Sequence, residues 1–193
     1  MNTDTYHHGD LRAVVLREAA QLVIDKGVDA LSLRELARRA NVSHSAPAHH
    51  FGDKHGLLTA LAAQGFDLLA EALTAAGDDF LEVAVAYVRF ATQDYPGHYA
   101  VMFLGTAISM DDPELQQARS RSEAVLMHGA SSVRPGGENQ DSTFVPLAAF
   151  TLVHGLATLW NAEAIGPQYR AIGVEQLTRQ IGSLTFRYAG TGE

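Results

Sequence analysis

Cysteine is absent from the 193 residues, which excludes disulfides, zinc–thiolate sites and cysteine nucleophiles together. No run of about eighteen uninterrupted apolar residues exists, so a membrane span is not expected. The opening MNTDTYHHGDLR carries no charged-then-apolar leader, and the expected compartment is the cytoplasm. No window alternates apolar and polar residues as a half-buried strand does, and nothing recurs at a period of about 20–50 residues. A nucleophile elbow and a paired-carboxylate constellation are missing as well. Positive charge is scarce: 14 Lys and Arg against 22 Asp and Glu give a net charge of −8.

That deficit is unevenly spread. Residues 1–55 hold seven basic side chains and seven acidic ones, so they are neutral, and the remainder carries the whole −8. Six of the nine histidines and both lysines also lie in 1–55. Such asymmetry implies two parts with different partners.

What is present is helical periodicity. Leu11, Val15, Ala19, Leu22 and Val23 share one face of a first helix, with Asp10 a candidate N-cap and Gly27 a C-terminal stop. Ser32 followed by Glu35 is a capping-box signature for a short second helix with the stripe Leu33, Leu36 and Ala37. Asn41 and Val42 make a turn. Ser43 is expected to cap a third helix, with Pro47 near its fourth position and Phe51-Gly52-Asp53 closing it. Longer amphipathic stretches follow at 54–76, 80–95, 97–103 and 111–129, then a loop at 131–142 and two last helices, 143–164 and 174–189. The expected fold is all-α, with a three-helix N-terminal domain at 1–56 and a larger helical domain at 57–193.

Two short helices joined by a tight turn, the second rich in small polar donors, describe a helix-turn-helix. In that arrangement the first helix crosses the sugar-phosphate backbone and the second presents side chains to base edges in the major groove. Ser45, Ala46 and Ala48 allow close backbone approach, while His44, Ser45 and His49 can exchange hydrogen bonds with bases. Arg34 and Lys54 are placed for phosphates. Neutral imidazole costs little to desolvate, which suits a reader in a segment without net positive charge.

The run LSLRELARRANVSHSAPAHHFGDKHGLL resembles the DNA-binding segment of the tetracycline-repressor (TetR) family of bacterial regulators. Gly27, Ser32, Leu33, Leu36, Ala37, Val42, Ser43, His50, Phe51 and Lys54 match its pattern, followed by Gly56, Leu57 and Leu58. The opening YHHGDLR and the stretch HGLATL, from His154 to Leu159, are similar to a subgroup with a Trp-His-Gly triplet in its regulatory domain. Three positions depart from the pattern: Asn41 and Ser45 stand where the family commonly has Gly, and Ala48 where it has a backbone-touching Tyr. The resemblance implies a ligand-responsive DNA-binding regulator, and a repressor. It would act as a homodimer through its last two helices, bind double-stranded palindromic operator DNA, and be released by a small molecule. DNA contacts are expected from Ser32, Arg34, Ser43, His44, Ser45, Ala46, His49, His50 and Lys54. His44 or His49 would take over the contact that Ala48 cannot make, and His7-His8 would be either a solvated arm or one touching DNA.

Aromatic, Met and imidazole side chains concentrate in three later stretches. Tyr99, Met102, Phe103, Met127, His128, His154 and Trp160 are the candidate lining of a mainly apolar pocket, suited to a small apolar or aromatic effector. Each could instead be plain core.

Two other readings compete for the histidines. As metal ligands they are poorly spaced: His44 and His49 are five apart, as are His50 and His55, without the i, i+4 pair or the acidic partner of a helical zinc site. No metal and no cofactor are therefore expected. As acid–base groups they would make the chain an all-α enzyme, yet the cluster falls in an exposed reader and not in a cleft. No catalytic residue is assigned.

Overall fold

The computed structural model describes residues 8–130, 133–135 and 142–188. In chain order its helices are α1 (His8–Lys26), α2 (Leu33–Arg39), α3 (Ala46–Phe51), α4 (Lys54–Ala75), α5 (Phe80–Arg89), α6 (Pro96–Met102), α7 (Pro113–Ala130), α8 (Val145–Asn161), α9 (Pro167–Arg170) and α10 (Val174–Thr185). The fold is all-α. Its one extended feature among the described residues is a three-residue antiparallel ladder of β1 (Val133–Pro135) with β2 (Phe186–Tyr188). The last helix therefore stops at Thr185, short of its expected end. Phe186 turns extended and packs its ring edge-on against Phe80, 5.1 Å away, in a cluster with Val145. Burial of that ring outweighs continuation of the helix. The expected loop at 131–142 falls mainly outside the described residues.

Side-chain caps open several helices where the sequence supplies them. Asp53 accepts from Gly56 N at the start of α4, and Asp79 accepts from Leu81 N and Glu82 N at α5. Asp112 takes Leu115 N at α7. These carboxylates satisfy donors that the first turn leaves orphaned.

The stretch expected as one helix over 80–95 is divided. After α5 the chain widens into a π-helical turn, Phe90–Asp94, and then meets Pro96. In that wider spacing the Ala91 carbonyl would face the nitrogen of Pro96, which carries no hydrogen. Asn161 Nδ2 donates to it instead, at 3.0 Å. The turn also explains why Arg89 reaches Asp94, five residues on, at 3.0 Å.

The chain forms two compact units, Met1–Phe66 with Tyr95–Ala118, and Asp67–Asp94 with Arg119–Glu193. In the first, the core is Val15, Leu16, Ala19, Leu22, Leu36, Leu57 and Leu61 with Val101 and Met102. In the second, Leu69, Leu73, Val83, Tyr87, Val88 and Phe90 are buried, as are Leu156 and Leu177. Helix α4 contributes to both. Alone among the described helices it has the length and apolar composition to cross a bilayer, but more than half of its apolar window is buried within the protein. That is the pattern of a core helix.

Candidate nucleic-acid interface and effector residues

The helix-turn-helix is assembled by local rules that the sequence states openly. Gly27 stops α1 with a φ of 81°, and a short 3-10 turn, Val28–Ala30, leads to Leu31, which is buried. Ser32 then caps α2, its hydroxyl accepting from Glu35 N at 3.2 Å. Glu35 turns its carboxylate towards Arg38 and Arg39. These contacts, the Arg38 bond first, hold the Glu35 pKa down to about 2. Asn41 takes the left-handed conformation at a φ of 53°, where a short polar side chain substitutes for glycine.

The third helix starts later than its sequence indicates. Ser43 O accepts from Ala46 N in a turn, and Ser45, not Ser43, is the N-cap position of α3. Pro47 therefore sits in the first turn, where a missing N–H costs nothing, and not near a fourth position. Pro47 and Phe51 are both buried. One helical turn apart, they fix the inward face of α3, and Ser45, Ala48 and His49 consequently lie exposed. Behind them, Gly56 closes the motif: a Cβ there would lie 2.1 Å from the Phe51 carbonyl oxygen.

The residues expected to meet DNA divide by environment. Ser32, Arg34, Ser43, His44, Ser45 and His49 are exposed, and Ala46 is half-buried. Ser32, Arg34, Glu35, Arg38 and His44 line one open cleft of about 420 Å³. His50 is half-buried, its ring edge-on to His49 at 5.8 Å and tilted against Phe51 at 6.2 Å. Lys54 is half-buried too, and its ammonium donates to Asp29 O at 3.2 Å, tying α4 to the turn before α2. The His7-His8 arm lies outside the described side chains. Among the described residues no group of three or more His, Asp or Glu is arranged to hold a metal ion.

Sequence reasoning missed how residues 95–118 support this motif from within the same unit. Gly97 brings α6 against Ala20 of α1 so closely that a Cβ would fall 2.2 Å from the Ala20 carbonyl oxygen. His98 is buried, bonds Gln64 at 3.0 Å, and has its pKa lowered to about 4 by desolvation. Thr59 accepts from Ser109 N, and Ser109 meets His55 Nε2 at 2.7 Å. Arg12 grips Glu114 with two bonds of 2.8 and 2.9 Å. No spacing in the sequence signals these pairs; the only hint is a glycine just after a helix-opening proline at 96–97.

The candidate effector residues belong to separate groups. Tyr99 and Met102 are buried in the first unit, and Phe103, 41% exposed, stacks edge-on with both Phe66 and Tyr99. Met102 lies so near Gly65 that a Cβ there would touch its sulfur at 2.8 Å. In the second unit His154 Nδ1 shares a 3.1 Å hydrogen bond with the hydroxyl of the fully buried Tyr87, beside the Phe150 ring. Burial lowers the His154 pKa, favouring neutral imidazole. Trp160 lies under the Arg170 guanidinium at 4.5 Å. Met127 and His128 are exposed, with His128 3.6 Å from Asp78. Tyr87 and Phe150 are additions that the sequence reading did not include.

Comparison with known proteins agrees with this architecture. Residues 15–61 match the family described as bacterial regulatory proteins, tetR family. Residues 80–180 match the family described as tetracyclin repressor-like, C-terminal domain. No curated protein matches the sequence. A solved protein of unknown function from Rhodococcus sp. RHA1 is 32% identical, with a TM-score of 0.73 over 94% of this chain and 96% of that one. The TetR family transcriptional regulator PfmR from Thermus thermophilus is 22% identical, with a TM-score of 0.64 over 88% of this chain and 95% of its own. AibR, solved in complex with isovaleryl coenzyme A and operator DNA, is 21% identical, with a TM-score of 0.65 over 92% and 99% respectively. Taken with the capped, glycine-closed helix-turn-helix, these matches show that the chain belongs to the TetR family and is a ligand-responsive, DNA-binding regulator of transcription.

Proposed function

We propose that this regulator is a repressor, binding a palindromic operator as a homodimer and leaving it when a small effector binds. The observation that carries the DNA half is the outward face of α3. Pro47 and Phe51 anchor the helix inward, so Ser45 and His49 stand exposed beside a cleft holding Arg34 and His44. In this reading residues 1–56 are the DNA-binding segment, with Ser32, Arg34 and Lys54 on the phosphate side. Ser43, His44, Ser45, Ala46, His49 and His50 face the bases or lie beside them. Residues 57–193 bind the effector and form the dimer. The protein works in the cytoplasm and catalyses no reaction.

The dimer reading rests on α8. Its exposed positions include Leu147, Ala148, Thr151, Thr158 and Leu159, an apolar and small-residue face that a second copy would cover. Helix α10 is more amphipathic, exposing Gln176, Gln180 and Ser183 beside Leu184. For the effector, the proposed contacts are Tyr99, Met102, Phe103, Met127, His128, His154 and Trp160. A neutral imidazole at His154 favours an uncharged apolar or aromatic molecule with one hydrogen-bonding group. The similarity to AibR, solved with an acyl coenzyme A and operator DNA, supports a small-molecule effector without fixing its class. The HGLATL stretch supports placing the chain in the Trp-His-Gly subgroup.

A gel shift on the DNA flanking the protein's own gene tests the function. Retardation unaffected by metal or chelator, and reversed by an apolar compound that also raises the melting temperature, is the expected result. Absence of any shift at low salt would remove the repressor reading. Ligands that raise stability but leave operator affinity unchanged would remove the allosteric part.

A further inference from the structure

Resting on the DNA-binding reading, we infer that Arg38 is a phosphate-binding residue of the operator complex and that Glu35 is the positioning residue that aims it. Arg38 shares one face of α2 with Arg34, a single helical turn away, and both line the cleft that also contains Ser32 and His44. Its side chain is 69% exposed. Glu35 engages it through Nε at 2.9 Å and Nη2 at 2.7 Å. That bidentate grip occupies one edge of the guanidinium and leaves both Nη1 hydrogens for a second oxyanion.

The charge arithmetic favours an anion in this cleft despite Glu35. Arg39, mostly buried, also donates to Glu35 and reaches Asp25 at 3.5 Å. Counting Arg34, Arg38 and Arg39 against Glu35 and Asp25 leaves a single positive charge, concentrated on the two exposed guanidiniums. The Arg34 and His44 side chains make no hydrogen bond or ion pair with other described residues. A phosphodiester oxygen seated between Arg34 and Arg38 would supply the missing partner. Flexible arginine loses rotamer entropy on binding, and the Glu35 grip takes that loss before DNA arrives.

The competing explanation is that Glu35, Arg38 and Arg39 merely staple a short helix through i, i+3 and i, i+4 pairs. The two readings give opposite signs. A carboxylate that only staples still repels phosphate, so neutralising it should tighten DNA binding. A carboxylate that aims Arg38 should weaken DNA binding when lost.

The test uses the full chain and a duplex enriched from a random pool by the wild-type protein, with a scrambled duplex beside it. Affinity is measured as a function of salt for wild type, Arg38→Ala, Arg38→Lys, Glu35→Gln and the Arg38→Ala/Glu35→Gln double variant, with a thermal melt of each. Arg38→Ala should flatten the salt slope by about one unit on both duplexes. Glu35→Gln should weaken binding by roughly three- to tenfold, and Arg38→Lys, which keeps the charge but loses the fork, should behave like it. In the Arg38→Ala background, Glu35→Gln should instead tighten binding, because only repulsion remains to be removed. An unchanged salt slope in Arg38→Ala, or Glu35→Gln tightening in both backgrounds, overturns the inference while leaving the DNA-binding function intact. A wild type that enriches no duplex removes that function, and the inference with it.

Discussion

Replacing Gly97 by alanine probes how firmly α6 is seated on α1. The added Cβ would lie 2.2 Å from the Ala20 carbonyl oxygen, 2.9 Å from its carbon and 3.1 Å from its Cα. Carbon atoms rest comfortably at about 3.5–4.0 Å, so each of these distances is well inside contact. All three opposing atoms are backbone within a helix and cannot rotate aside. The helices must therefore part, loosening the packing around neighbouring His98 and Tyr99, which are buried. Overpacking of this kind costs about 1–3 kcal/mol. Rigid neighbours place Gly97→Ala at the upper end, and alanine's better helix propensity offsets at most about 1 kcal/mol. A net loss of about 2 kcal/mol should lower Tm by about 4–8 °C for a chain of this size. Gly65→Ala is the matched control. Its Cβ would meet Met102 Sδ at 2.8 Å and Cγ at 2.9 Å, but a methionine can swing to another rotamer, so a smaller drop is expected. Melts followed by far-UV circular dichroism decide the matter. A Gly97→Ala variant as stable as wild type, or less affected than Gly65→Ala, would refute this reasoning.

Other outcomes follow from the same structure. Arg34→Ala should flatten the salt slope of DNA binding by about one unit on any sequence, whereas His49→Ala should change which bases are preferred. Equal losses on selected and scrambled duplexes would contradict a reading role for His49. His98, desolvated to a pKa of about 4, is neutral when folded and titrates near 6.5 when unfolded. Its contribution is therefore complete above pH 6.5 and is lost as pH falls from there towards 4. His98→Gln should remove about 3 kcal/mol of that pH dependence in urea melts, and parallel pH profiles would contradict it. Leu159→Glu, at a side chain 51% exposed on α8, should give a helical monomer by light scattering, while the same change at the buried Leu156 should unfold the protein. A wild type monomeric at micromolar concentration would sink the dimer.

The parts legible in the sequence are those fixed by neighbours in the chain. Gly27, the Ser32–Glu35 cap, Asn41 and the Gly52-Asp53 turn act within a few residues, and each appears where local chemistry requires it. Pro47 shows the limit of that approach. Its position is local information, but only the burial of Pro47 and Phe51 together reveals that α3 begins at Ala46. Phe186 leaves the last helix because Phe80, far away in sequence, offers its ring a buried partner. Arg38 shows the same limit at the DNA face: periodicity puts it opposite the apolar stripe, but only its geometry with Glu35 singles it out. Arg12–Glu114, His55–Ser109 and Tyr87–His154 join residues more than fifty positions apart, beyond the reach of any spacing rule.

The most direct measurement of the central claim is selection of duplex DNA from a random pool by the full-length wild-type protein. A DNA-reading dimer should enrich an inverted repeat whose half-sites present major-groove faces about one turn, 34–36 Å, apart. Affinity for that duplex should fall steeply with salt although the protein carries a net charge of −8. A pool that remains random after repeated rounds, at low as well as physiological salt, would contradict the claim that Ser45 and His49 read bases from the exposed face of α3.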